Sequence, residues 1–304
     1  MNEKLRPKSM TSRQLLSTRT IPSPEVLSLL ALASQRSVES ILAHDEDQLP
    51  SSVLKRYYRL EKKYLAGWSL AVLKGEKHFL TDKFFVNSKV LVPRPETELL
   101  VEAVNQEITS SAQARVIIDL GTGAGTIIIS LANLLRRSKP NLYNTSKFIA
   151  TDISRSAYLV AKKNARLHQQ TKKIDFYRGS LLKALPAKFW KSLKDQDLII
   201  SANLPYLTPE QVASSPSIRR EPRLALVAGP DGLSCYRELF KQINKLTTGK
   251  FSPRSLMLFC ELDPQQTTSF TQLAKERLPH FHLSIKPDLR AQDRLAILKF
   301  KSML

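Results

Sequence analysis

The chain has 304 residues, 42% of them apolar, which is enough for one large domain or two ordinary ones with a real core. No apolar run approaches the roughly 18 residues a membrane-spanning helix needs. Lys and Arg number 47 against 27 Asp and Glu, a net charge of +20 that attracts polyanions. The charges are spread along the chain rather than gathered in one run, so they predict weak affinity for nucleic-acid-rich surroundings, not a defined binding motif.

The two cysteines, Cys235 and Cys260, have no paired spacing and fit a reducing compartment such as the cytoplasm. The five histidines show no metal-ligand spacing, although His280 and His282 are placed to share a strand face, and no metal site is expected. Residues 1–20 are basic and rich in Ser and Thr. That suits an organelle transit peptide, but Glu3 disfavours import, and a frayed terminus is the expectation.

Residues 21–75 read as helical. Ser23-Pro24-Glu25 is a start signal with Pro just inside the helix. Val26, Leu29, Leu30 and Ala33 then recur on one face, Val38, Ile41 and Leu42 continue the spacing, and so do Leu54, Tyr57, Tyr58 and Leu65. Gly67 and Gly75 close the region. Phe84-Phe85-Val86 and Val90-Leu91-Val92 are short apolar runs that predict a hairpin. In Pro93-Arg94-Pro95-Glu96-Thr97-Glu98, Pro95 presets a helix start and Glu96 and Glu98 complement its dipole; the helix continues through Leu99, Leu100, Val101 and Val104.

Strands and helices alternate from there. Strands are predicted at 116–120, 148–152, 174–177, 198–202 and 255–260, helices from about Thr126 and over 156–167, and a closing hairpin of 283–285 with 296–298. Apolar strands alternating with helices mean an α/β fold, a doubly wound, mostly parallel sheet covered on both faces.

Three stretches carry chemistry. Asp119-Leu120-Gly121-Thr122-Gly123-Ala124-Gly125 joins the first strand to a helix. Its Gly-x-Gly-x-Gly spacing is neither the dinucleotide fingerprint nor a P-loop, and it suits the close approach of a nucleoside-type cofactor. Asp152 ends the second strand, where a carboxylate reaches ribose hydroxyls; the plainer reading is a helix N-cap before Ser154 and Ser156. Asn203-Leu204-Pro205-Tyr206 ends the fourth strand. An Asn, a Pro and an aromatic ring there form a polar clamp beside a flat surface, suited to a planar –NH2 group of an amide or a nucleobase, although Asn and Pro are also ordinary turn residues.

Together these residues resemble a class I S-adenosylmethionine-dependent methyltransferase, and more narrowly the protein-(glutamine-N5) methyltransferases that modify peptide-chain release factors, the PrmC/HemK family. The segment from Val90 to Glu98, the loop from Asp119 to Gly125, the tetrapeptide at Asn203 and the segment Glu221-Pro222-Arg223-Leu224-Ala225-Leu226, running on through Gly229, Asp231-Gly232-Leu233 and Tyr236-Arg237, carry the match. The tail agrees more loosely, through Glu261 with Gln265 and Asp288-Leu289 with Asp293-Arg294.

The resemblance implies a seven-stranded Rossmann-like sheet behind a small helical domain. It implies a helical substrate-binding domain over 1–78, a hairpin linker over 79–92 and the methyltransferase domain over 93–304. Its cofactor is S-adenosyl-L-methionine, held by Asp119, Gly121, Thr122, Gly123, Ala124, Gly125, Asp152, Leu181 and Asn203. Its partner is a release factor, with weak contact to RNA or the ribosome through the basic surface and a monomeric chain off the membrane.

Asn203, Leu204, Pro205 and Tyr206 are the implied catalytic residues. The Asn203 side-chain oxygen and the Leu204 backbone carbonyl would hold both –NH2 protons of the glutamine of a Gly-Gly-Gln motif, Tyr206 would pack on the flat amide, and Pro205 would stiffen the turn.

Two departures stand out. Leu204 replaces the family's first Pro, and Ser180 and Leu181 replace an acidic residue and a Trp that contact the adenosine. The spelling Asn-Leu-Pro-Tyr is also close to that of ribosomal-RNA adenine dimethyltransferases, so an RNA or DNA adenine-N6 methyltransferase is the alternative. A binding protein with a decayed site is the remaining one. The Val90 and Glu221 segments favour the glutamine enzymes.

Overall fold

Near-continuous apolar strands can be buried only in a sheet covered on both faces, and that is the arrangement here. The structure, a computed structural model, describes residues 9–17, 21–111, 113–194, 196–250 and 252–301. It divides into two compact units, one within Met1–Gly75 joined by Pro216–Arg220, the other Glu76–Ser215 with Glu221–Leu304.

The first unit is helical: α1 (Ser12–Ser17), α2 (Ser23–Ser34), α3 (Val38–Ala43), α4 (Ser51–Leu65) and α5 (Leu70–Lys74). Pro24 sits in the first turn of α2, where its missing N–H costs nothing. Val26, Leu29, Leu30 and Ala33 pack with Leu15, Ile41, Leu54 and Tyr57 into one core. Leu42 and Leu65, which share the helical spacing, are instead 49% and 59% exposed, so each apolar stripe is narrower than its periodicity implies. The N-terminal expectation changes too. Residues 12–17 form α1, and Leu15 is buried in the core, so this stretch is not frayed; 1–8 and 18–20 lie outside the described residues.

The second unit opens with an antiparallel hairpin, β1 (Glu76–Phe79) and β2 (Asp82–Phe85). The expected partner strand at Val90 to Val92 does not form. Val90 and Val92 are buried in a stretch without sheet pairing, because the Val92 N–H donates to the Glu221 carboxylate (3.2 Å) instead of to a strand. A 3-10 turn at Pro95–Thr97 precedes α6 (Glu98–Thr109), so the proline starts a tighter turn than an α-helix.

There follow β3 (Val116–Leu120), α7 (Thr126–Ser138), α8 (Pro140–Thr145), β4 (Lys147–Asp152), α9 (Arg155–Leu167), β5 (Ile174–Arg178), α10 (Ala187–Lys191), β6 (Asp197–Ala202), α11 (Pro209–Ser214), α12 (Ser234–Thr247), β7 (Ser255–Glu261), α13 (Thr267–Arg277), β8 (His282–Pro287) and β9 (Asp293–Lys301). The strands from β3 onward form a seven-stranded sheet in the order β5-β4-β3-β6-β7-β9-β8. All pairs are parallel except those of β9 with β7 and β8.

Period-two alternation splits the core. Ile118, Leu120, Ile200 and Leu258 face α12 and α13, where Tyr236, Phe240 and Phe270 form an edge-to-face aromatic cluster. Ile117, Ile199, Phe148 and Phe259 face α6, α7 and the hairpin. Strand order reverses between β3 and β6, which opens a crevice beyond their C-terminal ends.

Chain segments far apart in sequence are locked at that end. Gly232 has φ +71, and a Cβ there would lie 2.1 Å from both the Tyr206 carbonyl oxygen and the Gln266 side-chain nitrogen. Only glycine permits that approach. Gly232→Ala is therefore expected to lower the unfolding midpoint, with a cost of about 1–3 kcal/mol for the strained backbone alone. Denaturant unfolding checks it; a midpoint equal to wild type contradicts the packing described.

Candidate active site

A cavity of about 420 Å³ occupies the crevice, within the usual range of ligand pockets. Its walls come from the ends of three strands: Gly121, Thr122, Gly123 and Ala124 after β3, Asp152 at the end of β4, and Asn203, Leu204 and Pro205 after β6. Ser180 and Leu181 complete one side, with Leu181 at φ +50. Gly125, expected at the cofactor, instead caps α7 at φ +82, where a Cβ would meet Ile129 at 2.9 Å.

Two carboxylates hold the glycine loop, in different ways. Asp119 is fully buried beneath the loop and does not line the cavity. It accepts the Thr122 hydroxyl (2.6 Å) and the Ser201 hydroxyl (2.8 Å), tying the loop to β6. Burial pushes this carboxyl up to about 7, and the two hydroxyls only partly oppose the shift. Asp152 does line the cavity. Its oxygens accept the Gly123 N–H (2.9 Å) and the Ser154 N–H (2.8 Å), each leaving a lone pair for a ligand hydroxyl. Burial raises it as well, against those two backbone donors. Asp152 is not the cap of α9; that role belongs to Ser154, whose hydroxyl accepts the Ala157 N–H.

Buried Asn164 of α9 completes the support, donating to the carbonyls of Ala124 (2.8 Å) and Phe85 (2.9 Å) and accepting from the Phe85 N–H (2.8 Å). No motif pointed to it, because a lone Asn in a helix carries no signal until its partners are known.

The glycine cradle, the cavity-lining carboxylate and the mainly apolar walls fit a nucleoside-bearing cofactor. Glycines spare the space a Cβ would fill, and Asp152 offers acceptors for ribose hydroxyls. Leu181 keeps the far wall apolar.

Asn203 is a second polar group on the wall. Its amide nitrogen donates to the Glu261 carboxylate (2.9 Å) and to the Thr97 hydroxyl (2.9 Å). Both N–H bonds are thus spent, and the amide oxygen is left as the free end. Glu261 also accepts the Tyr206 hydroxyl (3.2 Å) and is almost fully buried, which raises its carboxyl pKa.

Tyr206 departs from expectation. It does not line the cavity; its phenol turns to Glu261, and burial, with that carboxylate beside it, pushes its ionisation above the usual range. Leu204 packs its side chain into the core, 3.0 Å from where a Cβ of Gly121 would stand. Among the described residues no group donates to its carbonyl.

The two flanking segments meet here. Arg94 and buried Glu221 form an ion pair (2.5 Å), and Pro93, Arg94, Pro222, Leu224 and Ala225 line the cavity mouth. At the tail, Gln266 reaches the segment that follows Asn203. Its amide nitrogen donates to the carbonyls of Tyr206 (2.8 Å) and Asp231 (3.1 Å). Thr97 and Glu261 both lie within matched segments, so a signal for them existed, but nothing in the spacing said that they touch Asn203.

The Asp119 geometry sets a pH dependence. Its carboxyl lies near 3.8 when exposed and near 7 when buried, so between those values the unfolded chain has lost a proton that the folded chain keeps. Stability contributed by this group therefore falls as pH rises across that window and levels off above it. Asp119→Asn removes the dependence. The expected outcome is a wild-type-minus-variant difference in unfolding midpoint that declines from about pH 4 to about pH 7; a difference constant in pH contradicts it.

A family model described as a methyltransferase domain matches residues 111–251. A release factor glutamine methyltransferase of Moorella thermoacetica is 32% identical over 90% of this chain and 89% of its own length. One from Coxiella burnetii is 33% identical over 74% and 75%, and one from Neisseria gonorrhoeae 30% over 97% and 100%. Among solved structures, the hMettl16 catalytic domain in complex with a MAT2A 3′UTR hairpin superposes with a TM-score of 0.51 at 14% identity, covering 81% of this chain and 91% of that one. That likeness concerns the fold alone. Identity at this level across nearly the whole chain, with the glycine loop, Asp152, Asn203, Leu204 and Pro205 gathered at one crevice, places the protein in the release factor glutamine methyltransferase family.

Proposed function

We propose that this protein transfers a methyl group from S-adenosylmethionine to the side-chain amide nitrogen, N5, of the glutamine in the Gly-Gly-Gln motif of a peptide-chain release factor. The orientation of Asn203 carries the reading. Its nitrogen is occupied by Glu261 and Thr97, so an acceptor faces the cavity that Asp152 and the glycine loop enclose.

Bound in that cavity, S-adenosylmethionine supplies a methyl group on a sulfonium, an electrophile open to in-line displacement. Gly121, Thr122, Gly123 and Ala124 would cradle it, with Asp152 on its ribose and Leu181 against its base.

The chemical difficulty lies with the acceptor, because an amide nitrogen delocalises its lone pair into its own carbonyl. The Asn203 oxygen and the Leu204 carbonyl answer it. Each accepts one –NH2 proton, which turns the nitrogen toward the methyl and stabilises the positive charge that develops there. Pro205 stiffens the peptide that carries these acceptors. Tyr206 braces Glu261 behind them. No general base is needed, since the proton can leave after transfer.

The helical unit, with the sequence-based boundary at 1–78, is assigned to binding the release factor, the segment 79–92 to a linker and 93–304 to the transfer reaction. The chain acts as a monomer in the cytoplasm. Its +20 charge adds a weak, sequence-independent contact with RNA or the ribosome. Among the described residues no helix is long and apolar enough to cross a membrane.

With labelled S-adenosylmethionine, the expected result is label on the Gly-Gly-Gln glutamine of a release factor and none on ribosomal RNA offered beside it; the reverse establishes the adenine-N6 reading. Asn203→Ala is expected to reduce kcat by about 10²–10³-fold, the usual worth of a preorganised polar group at developing charge. Asp152→Ala should weaken cofactor binding in calorimetry and also lower the unfolding midpoint, because the Gly123 and Ser154 N–H groups lose their acceptor. RNA binding, measured by fluorescence anisotropy, should fall steeply between about 50 and 200 mM salt; a salt-independent affinity contradicts the electrostatic contact.

A further inference from the structure

We infer that Glu261 is the positioning residue of this site: its carboxylate, buried behind Asn203, dictates that Asn203 presents an oxygen rather than a nitrogen to the substrate. The inference rests on the reading of Asn203 as the acceptor for the substrate –NH2 group.

The two ends of an asparagine amide are nearly the same size, so packing alone does not choose between them. Hydrogen-bond partners do. Thr97 cannot make the choice by itself, because a hydroxyl both donates and accepts. A carboxylate only accepts. With Glu261 ionised, the Asn203 nitrogen must face it, and the Thr97 hydroxyl accepts the other Asn203 N–H. A flipped amide would set oxygen against carboxylate and an N–H against the substrate's own N–H, leaving buried polar groups unpaired on both sides.

The fold keeps this carboxylate in place. Glu261 ends β7, beside β6, with Ala202 opposite Cys260 in register, so Asn203 and Glu261 leave adjacent parallel strands together. The Tyr236 hydroxyl holds the Glu261 backbone carbonyl, and the Tyr206 hydroxyl holds the second carboxylate oxygen. Glu261 does not itself line the cavity, so it acts through Asn203.

The arrangement also sets a pH dependence. Around Glu261 stand Arg294 of β9, which favours the ionised form, and Glu96 before α6, which opposes it. Tyr206, Tyr236 and Cys260 are all held protonated by burial, and Asp263 faces Tyr206. Burial raises the Glu261 carboxyl above the usual carboxylate range. Below that raised value the carboxyl gains a proton, becomes able to donate, and no longer dictates the amide. Transfer should therefore fall on the acid side.

Glu261→Gln preserves shape and removes the constraint, because its amide offers either end to Asn203. The expected result is a kcat about 10²-fold lower, as for a small misplacement of reacting groups, with KM for the methyl donor unchanged and the acid limb of the kcat profile abolished. The Asn203→Ala, Glu261→Gln double variant should be no slower than Asn203→Ala. Wild-type kcat in Glu261→Gln, or additive losses in the double variant, overturns the inference.

A second readout needs no turnover. In 15N-labelled protein the Asn203 side-chain amide resonances should shift as pH falls through the Glu261 ionisation in wild type and stay fixed in Glu261→Gln. Should the wild type leave the release factor unmodified, the functional reading fails, and this titration still decides the positioning role: its loss in the variant supports it, its persistence overturns it.

Discussion

A buried carboxylate is costly unless donors surround it, and the loops of this site are built around that requirement. Asp119 at the end of β3, Asp152 at the end of β4 and Glu261 at the end of β7 are each nearly or wholly removed from water. Each is satisfied by groups from the next loop or the neighbouring strand: Thr122 and Ser201 for the first, Gly123 and Ser154 for the second, Asn203 and Tyr206 for the third. The polar groups that shape the cavity are therefore fixed by the same bonds that make its foundation tolerable. Glu221 extends the pattern to the mouth, where it takes the Val92 N–H and the Arg94 guanidinium.

The sheet supplies the geometry those bonds need. Parallel strands bring their C-terminal ends to one edge, and the reversal of order between β3 and β6 leaves room there. Asn203 follows β6 and the glycine loop follows β3, so acceptor and cofactor cradle face one crevice. Segments distant in the chain then close it. Arg94 meets Glu221, and Gly232 lets the backbone press against Tyr206 while Gln266 ties Tyr206 to Asp231. The two segments that distinguish the glutamine enzymes in the sequence are thus one structural unit, held by an ion pair.

Much of this was legible beforehand, for identifiable reasons. Buried strands such as Val116–Leu120 and Ser255–Glu261 announce themselves because both faces are apolar. The glycine loop and Asp152 are local features, readable from a few consecutive residues. The misreadings occur where the decisive partner is remote. Val90 to Val92 has strand-like composition, but its backbone is claimed by Glu221. Tyr206 has the position of a stacking ring, but Glu261 draws it inward. Asp119 follows the pattern of a cofactor ligand, yet it sits beneath the loop and supports it from below. Leu42 and Leu65 keep helical spacing and still face water, because periodicity gives the direction of a stripe and not its width.

What the sequence determined by itself is the class of the molecule: a helical unit followed in the chain by an α/β sheet, a glycine loop suited to a nucleoside, and a tetrapeptide suited to a planar –NH2 group. These follow from periodicity and from short runs in which neighbouring residues act together. Only the tertiary structure decided which end of the Asn203 amide is bonded, which residues hold it there, and which carboxylate lines the cavity and which the core. Hydrogen-bond polarity depends on partners that the chain brings together from more than fifty positions away, and no local pattern records such a pairing before the sheet has formed.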